Sequence, residues 1–494
     1  MNETTQNRVA TAESGAKPPP TLETAAHDRH NNRMLVVMLG AVFMALLDST
    51  IVNIATPTIR TDLHTSGSAL QLIVSGYTIA YATLLVTGAR LGARNGFRAM
   101  FLFGIITFTA ASLACGLAPN SAVLIGARLV QGIGAAMTMP QIYSLIQLHF
   151  EGAARARALS LYAATISLGV VVGQVAGGLL VSADLFGSGW RPVFLINVPI
   201  GVVLVFAGVR LLPQGKPADS KGLDVLGLIT LTMTLLLLVI PLVMGHERRW
   251  PLWMQISLVA SVPMLVVFTL VERAVARRGG EPLVPGRVLK TPGLVPAATA
   301  MFFAMAGYAG FLFSFSQHMQ SGLGESATRT GLTFAPLALG VATGSLTWQK
   351  VPERLHRPLI ATACAVAALG YVGIGFDMRS TSWSGHGGFA LPLLQLVVGI
   401  GMGYITSPLL TVSLAKVEPA DVADASGVMT TSAQIAQVLG IAVYGSVYLG
   451  AVGNHSANAS AHAISVTAML VAGGALAGGL VSLKLPSKHR SLVR

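Results

Sequence analysis

The sequence predicts an all-α polytopic membrane protein with fourteen transmembrane helices. Three observations carry this reading. Of 494 residues, 53% are hydrophobic and only 10% charged, against ~25% charged in an ordinary soluble domain. Apolar runs long enough for the ~20 residues that cross a ~30 Å hydrocarbon core recur along the whole chain. The Lys and Arg residues sit in short loops and tails between these runs, mostly on one side, as the positive-inside rule requires.

The runs lie near residues 34–57, 69–89, 99–118, 121–146, 157–182, 193–212, 223–244, 252–272, 292–316, 330–349, 357–376, 388–410, 425–450 and 462–483. With the N-terminal tail placed inside and the loops assigned alternately, the inside holds 25 Lys and Arg. The outside holds six: Arg60, Arg191, Arg248, Arg249, Arg329 and Arg379. This bias puts both termini in the cytoplasm and requires an even number of spans. The expected location is the plasma (inner) membrane, and a monomer is expected.

Residues 1–33 are polar, with three prolines at Pro18 to Pro20, and lack the short apolar core of a signal peptide. They read as a disordered cytoplasmic tail. Fourteen spans fit two six-helix bundles, residues 34–212 and 291–484. Two further helices with basic linkers are inserted over 213–290, and 485–494 forms a short tail. Residues 167–178 (SLGVVVGQVAGG) and 432–445 (SAQIAQVLGIAVYG) share Q-V-x-G eight spans apart, as two parallel repeats would. The 54 glycines, many inside the runs, suit close helix approach in a bilayer.

The net charge of +13 follows from the loop arginines and lysines, so it marks topology and no nucleic-acid partner is expected. Cys115 and Cys364 each lie in an apolar run, which argues against a disulfide framework. No nucleotide-binding loop appears, and of the histidines at span edges, His149, His318 and His462, none makes an i, i+4 pair with another. No cofactor, metal site or enzyme activity is expected. The partners expected are a small-molecule substrate, protons and the lipid bilayer.

Asp48, in the first run, reads as the only carboxylate within a spanning stretch. A charge near mid-bilayer costs at least ~2.5–3.5 kcal/mol, which marks it as functional. It stands ~14 residues into its span, ~21 Å from the cytoplasmic face, and Arg128 enters span four to a depth of ~20 Å. The two either pair directly or share one water-filled cavity. Burial favours a neutral carboxyl and a nearby guanidinium favours an ionised one, so a motion that changes their separation would switch proton affinity. Arg128 stays charged and serves as a fixed tuning group. The C-terminal half has no acidic residue within a predicted span, which favours a bulky apolar substrate, neutral or singly charged. Candidate cavity residues are Gln71, Tyr77, Gln131, Gln141, Tyr143, Gln174, Gln434 and Gln437. The alternative reading of each is a tie between helices.

Residues 47–59 (LDSTIVNIATPTI) resemble the first-helix motif of the fourteen-helix drug:proton antiporter branch of the major facilitator superfamily. Residues 127–140 (ARLVQGIGAAMTMP) resemble its fourth-helix motif, with Arg128, Gln131, Gly132 and Gly134 in register. Residues 190–201 (WRPVFLINVPIG) are similar to its entry into helix six, and 223–227 (LDVLG) to the start of its inserted pair. The resemblance spans about residues 34–450. It implies two bundles rocking about a central cavity, with proton entry exchanged for substrate exit. Two positions depart from the family. In the gating loop between helices two and three, Arg90, Gly92, Arg94, Gly96 and Arg98 are kept, but Ala93 stands where the family has Asp. The antiporter motif of helix five keeps Gly169, Gly173, Gly177 and Gly178 but has Gln174 in place of Pro. The first change implies a weaker hold between the bundles on the cytoplasmic side. The second removes a kink and adds a polar group. The function implied is proton-coupled export of drugs or toxic metabolites. The rival readings are an importer or dedicated metabolite exporter of the same fold, or a transporter-derived sensor.

Overall fold

The computed structural model describes residues 22–214, 224–245, 250–280, 282–352, 355–380, 390–414, 417, 422–452 and 456–485. Their regular secondary structure is entirely helical. The first six apolar runs fall on α1 (Leu22–Asp62), α2 (Gly67–Asn95), α3 (Phe97–Gly116), α4 (Ser121–His149), α5 (Gly152–Ala183) and the pair α6 (Pro192–Leu195) and α7 (Asn197–Leu211). Next come α8 (Val225–Met244) and α9 (Leu252–Arg277), followed by the short α10 (Gly286–Leu289). The last six runs fall on α11 (Leu294–Gln317), the pair α12 (Ala327–Thr333) and α13 (Ala335–Thr347), α14 (His356–Ser380), α15 (Ala390–Leu414), α16 (Val422–Val452) and α17 (Ala457–Ser482).

Among the described residues, twelve helices are long and apolar enough to cross a membrane. The other two expected spans coincide with α5 and with α12–α13, where a break near Phe334 divides the run. Large apolar side chains such as Phe103, Phe206, Val259, Leu369 and Leu480 are exposed on the helix exteriors. An outer surface of that kind is stable against lipid, and helices are the spans that satisfy their own backbone there. The chain is an integral membrane protein.

One boundary moves. The tail expected over 1–33 is helical from Leu22, because α1 runs back through residues 22–33. Once a helix is nucleated, each added residue contributes a backbone hydrogen bond at little further cost, so α1 extends beyond its apolar stretch. Residues 1–21, the linker 215–223 and the tail 486–494 lie outside the described residues.

The first six runs pack in a pattern that the last six repeat. In the first half α1 lies on α5 and α7, α4 on α2 and α3, and α3 on α7. In the second, α11 lies on α16 and α17, α15 on α13 and α14, and α14 on α17. The halves meet where α2 lies on α16 and where α5 lies on α12 and α13. The α8–α9 hairpin attaches at the first of these seams, with Val239 of α8 buried beside Ile79 of α2 and Val438 and Ala442 of α16. Ser446 reinforces it, donating to Leu242 O at 2.9 Å.

Hydrogen bonds that join the halves lie at one end, where α1 finishes and α2 begins. Ser316 Oγ donates to Asn53 O at 2.7 Å and Gln320 Nε2 to Ile54 O at 2.9 Å. Thr328 Oγ1 donates to Gly178 O at 3.0 Å, and Thr328 N–H to Ser182 Oγ at 3.1 Å. Gln71 and Ser446 meet at 3.4 Å. At the same end Asp62 accepts from Trp190 Nε1 and Arg191 Nη1, each at 2.9 Å. The W-R stretch therefore ties the close of α1 to the turn before α6.

Candidate functional site

Asp48 and Arg128 form a direct ion pair. Arg128 Nη1 lies 2.5 Å from Asp48 Oδ2, and both side chains are fully buried. Asp48 Oδ1 accepts from Gln131 Nε2 at 2.7 Å and from Asn197 Nδ2 at 2.8 Å. Gln131 Nε2 also donates to Ser112 Oγ at 2.8 Å, and Gln131 Oε1 accepts from Arg128 Nη1 at 2.7 Å. Arg128 Nε donates to Ile73 O at 3.0 Å, and its guanidinium carbon sits 4.7 Å from the Tyr77 ring and 5.7 Å from that of Phe194. Groups from five helices, α1, α2, α3, α4 and α7, thus join in one network around the carboxylate, which α4 and α7 contact directly.

The local sequence explains the convergence. Arg128 and Gln131 are three residues apart on α4 and so share one face of it. Small residues bring the helices near enough for short side chains to meet: Gly132 lies against Tyr77 and Ala80 of α2, and Gly134 against Phe108 of α3. A buried ion pair is tolerated only when its remaining donors and acceptors are also engaged, and here three donors reach the carboxylate. Two buried polar atoms stay unbonded, Arg128 Nη2 and Asn197 Oδ1.

The other predicted residues divide among several places. Tyr77 joins the ion-pair site by covering Arg128, and Gln131 bridges the pair. Gln141 does not line a cavity with them. Its Nε2 donates to Gly88 O at 2.8 Å and to Met137 O at 2.9 Å, so it ties α4 to α2. Gln71 lies at the α2–α16 seam, bonded to Ser446. Gln434 and Gln437 bond one another at 3.2 Å on α16. Tyr143 is half-buried on α4. Gln174 is buried with neither amide atom bonded.

The four motif glycines of α5 have a clear geometric role. A Cβ at Gly169 would lie 2.9 Å from Leu46 Cβ, at Gly173 2.9 Å from Leu47 O, and at Gly177 2.9 Å from Ile51 Cγ1. They allow α5 to lie directly on α1. A Cβ at Gly178 would lie 2.7 Å from Ala327 O, in the other half of the molecule.

The expected gating loop is largely helix. α2 continues through Arg90, Gly92 and Arg94 to Asn95, and only Gly96, with φ of 98°, breaks it before α3. Long side chains favour helix strongly enough to carry α2 past its apolar run, and a positive φ suits glycine. Arg90 Nη2 donates to Pro282 O at 2.5 Å, Gly92 packs on the Gln141 side chain, and Arg98 donates to Val209 O. Arg94 is exposed.

Sequence reasoning missed three polar residues. Asn197 and Ser112 belong to the Asp48 network, and the available signal was a lone amide or hydroxyl within an apolar run. Glu272 is the third. It is buried inside α9, which corrects the reading of Asp48 as the only carboxylate in a spanning stretch. α9 runs on to Arg277, so a residue placed at the run's edge is more than a turn inside the helix.

A helical membrane bundle built from two similarly packed halves, with a buried ion pair at the centre of one, has the architecture of a membrane transporter. Residues 38–441 match the Major Facilitator Superfamily, and the chain belongs to that family. It is 37% identical over 449 residues to the "Probable actinorhodin transporter" of Streptomyces coelicolor, covering 90% of this chain and 75% of that one. It is 34% identical over 417 residues to the "Cephamycin export protein CmcT" of Amycolatopsis lactamdurans, covering 83% of each. Among solved structures, it resembles a bacterial homologue of the human lysosomal transporter Spinster. The TM-score is 0.66 at 15% identity, over 92% of this chain and 96% of that one. This last likeness concerns the fold alone.

Proposed function

We propose that this chain is a proton-coupled exporter of bulky, mostly apolar small molecules, of the fourteen-helix drug:proton antiporter branch. The observation that carries the reading is the buried Asp48–Arg128 pair, with Gln131 and Asn197 closing around the same carboxylate. Arg128 and the two amides together offset part of the cost of holding a charge at Asp48 away from water. If α4 or α7 shifts against α1, those donors part from the carboxyl, and a buried carboxyl without them takes up a proton. A substrate that favours the shifted arrangement is then linked to proton binding by differential affinity alone. A relative named as a cephamycin export protein supports export as the direction.

Two six-helix units, residues 34–212 and 291–484, rock about the seams formed by α2–α16 and α5–α12–α13, with α8–α9 inserted between them in the chain. With both termini in the cytoplasm of a plasma (inner) membrane protein, the bonds from Ser316, Gln320 and Thr328 lie at the outer end. They hold that end shut, and the cavity opens inward. The chain acts as a monomer.

The test is proton release from purified, weakly buffered protein on adding a lipophilic antibiotic such as puromycin, comparing wild type with Asp48→Asn. Release in the wild type alone supports antiport through Asp48. Equal release from both proteins removes Asp48 from that role, and binding without release in either refutes coupling.

A further inference from the structure

The inserted hairpin and the residue before it hold a pair of buried acidic groups, Asp224 and Glu272, apart from the Asp48 network. Asp224 precedes α8 and caps it, its Oδ1 accepting the Gly227 N–H at 2.7 Å. Its other oxygen, Oδ2, is buried and receives no hydrogen bond. On α9, Glu272 Oε2 accepts the Val284 N–H at 2.7 Å, while Oε1 is likewise buried without a partner. Each residue is only 7% exposed. Both unpartnered oxygens crowd the bare face of Gly227, where an added Cβ would strike the two of them, and the carboxyl groups are within hydrogen-bonding reach of each other.

Carboxylate oxygens only accept, so two of them facing one another need a proton between them. Two anions held this close and away from water repel strongly, and one proton shared by the pair removes the conflict. Among the described residues, no cation donates a hydrogen bond to either unpartnered oxygen. Arg90 of α2 donates to Pro282 O. Arg273 and Arg277 on α9, Arg278 just after it, and Arg287 and Lys290 at α10 are exposed. Lys221 and Glu281 lie outside the described residues.

We propose that Asp224 and Glu272 form a second proton-binding site, distinct from Asp48, which closes the end of the α8–α9 hairpin. The site connects to the main bundle through a short run of backbone. Glu272 holds the Val284 N–H, and two residues earlier Pro282 O receives Arg90 from the end of α2. Loss of the shared proton sets the two carboxylates against each other and drives Glu272, with the segment it holds, away from Asp224. The assignment does not depend on Asp48 carrying the transported proton.

The test is the thermal unfolding midpoint of the purified full-length protein between about pH 6 and pH 8, for wild type, Glu272→Gln and Asp224→Asn. The solvated carboxyls of the unfolded chain have already lost their protons below this range, whereas the folded pair still holds one. The wild-type midpoint therefore falls as pH rises. Glutamine at 272, or asparagine at 224, donates an amide N–H to the remaining carboxylate with no proton required, so each variant shows a shallower slope. Slopes parallel to wild type in both variants overturn the proposal. So does a wild-type midpoint restored at high pH by sodium chloride but not by choline chloride, because that identifies a metal cation as the occupant. The infrared carbonyl band of a protonated carboxylic acid provides a second readout. It is lost in Glu272→Gln and persists in Asp48→Asn, and loss only in the latter assigns the proton to the other site.

Discussion

Arg128 Nη1 stands 2.5 Å from Asp48 Oδ2 across the gap between α4 and α1, and neither side chain reaches solvent. Each charge is the other's principal neutraliser. Removing either leaves a buried ion of the opposite sign, which typically costs ~3–5 kcal/mol.

Asp48→Asn should keep the shape of the site, because an amide oxygen can still accept from Arg128, but it cannot exchange a proton near neutral pH. Gradient-driven export from proteoliposomes should fall at least ~10-fold, while substrate binding in detergent changes far less. A variant that exports at the wild-type rate would exclude Asp48 from coupling.

Arg128→Lys should not substitute. A lysine keeps the charge but loses the guanidinium fork that serves Asp48, Gln131 and Ile73 O together, and its stacking against Tyr77. Stability should drop by ~1–3 kcal/mol, from lost hydrogen bonds to charged groups. The measurement is the unfolding midpoint in detergent beside that of Arg128→Ala, which should be lower still.

Two glutamines on neighbouring helices should respond oppositely to replacement by leucine. Gln141 donates twice to backbone carbonyls of α2 and α4, so Gln141→Leu should cost ~1–2 kcal/mol and leave the range of exported compounds unchanged. Gln174 is buried with its amide unbonded, so Gln174→Leu should be neutral or stabilising by up to ~1 kcal/mol. A marked loss of substrate affinity in Gln174→Leu at unchanged stability would instead place this side chain on the transport path.

Gly178→Val should wedge the halves apart where α5 touches α12, since even a Cβ there would lie 2.7 Å from Ala327 O. Spin labels at Asp184→Cys and Ser321→Cys, with the buried native cysteines retained, report the separation at this end. The distance distribution should move outward in Gly178→Val. An unchanged distribution would mean that this contact does not hold the end shut.

Much of the fold was legible because a bilayer imposes simple rules. The length of each apolar run marks where a helix lies: helical segments fall on the fourteen runs, and among the described residues twelve helices are long and apolar enough to cross a membrane. Asp48 and Arg128 stood out because charge is rare at that depth, and equal depth brought them together. The neutral residues around them were harder to read. Asn197 is one amide among several, and only the crossing of α7 over α1 shows that it points at Asp48. Gln141 looks identical in sequence to a cavity residue, yet its amide is taken up by Gly88 O. Glu272 was obscured by a helix that runs past the end of its apolar stretch.

Three of the bonds that join the two halves have a division of labour with an evolutionary consequence. Ser316, Gln320 and Thr328 supply the side chains, whereas Asn53, Ile54 and Gly178 contribute main-chain carbonyls. Every residue type offers a carbonyl, so mutation of the N-terminal partners leaves the acceptors in place. Drift can retune how firmly this end closes mainly through the C-terminal half. In the half that carries the ion pair, Asn53 and Ile54 can therefore change side chain without losing these acceptors, whereas Gly178, Ser182 and Gln71 meet the other half through space or side-chain atoms that a substitution would alter.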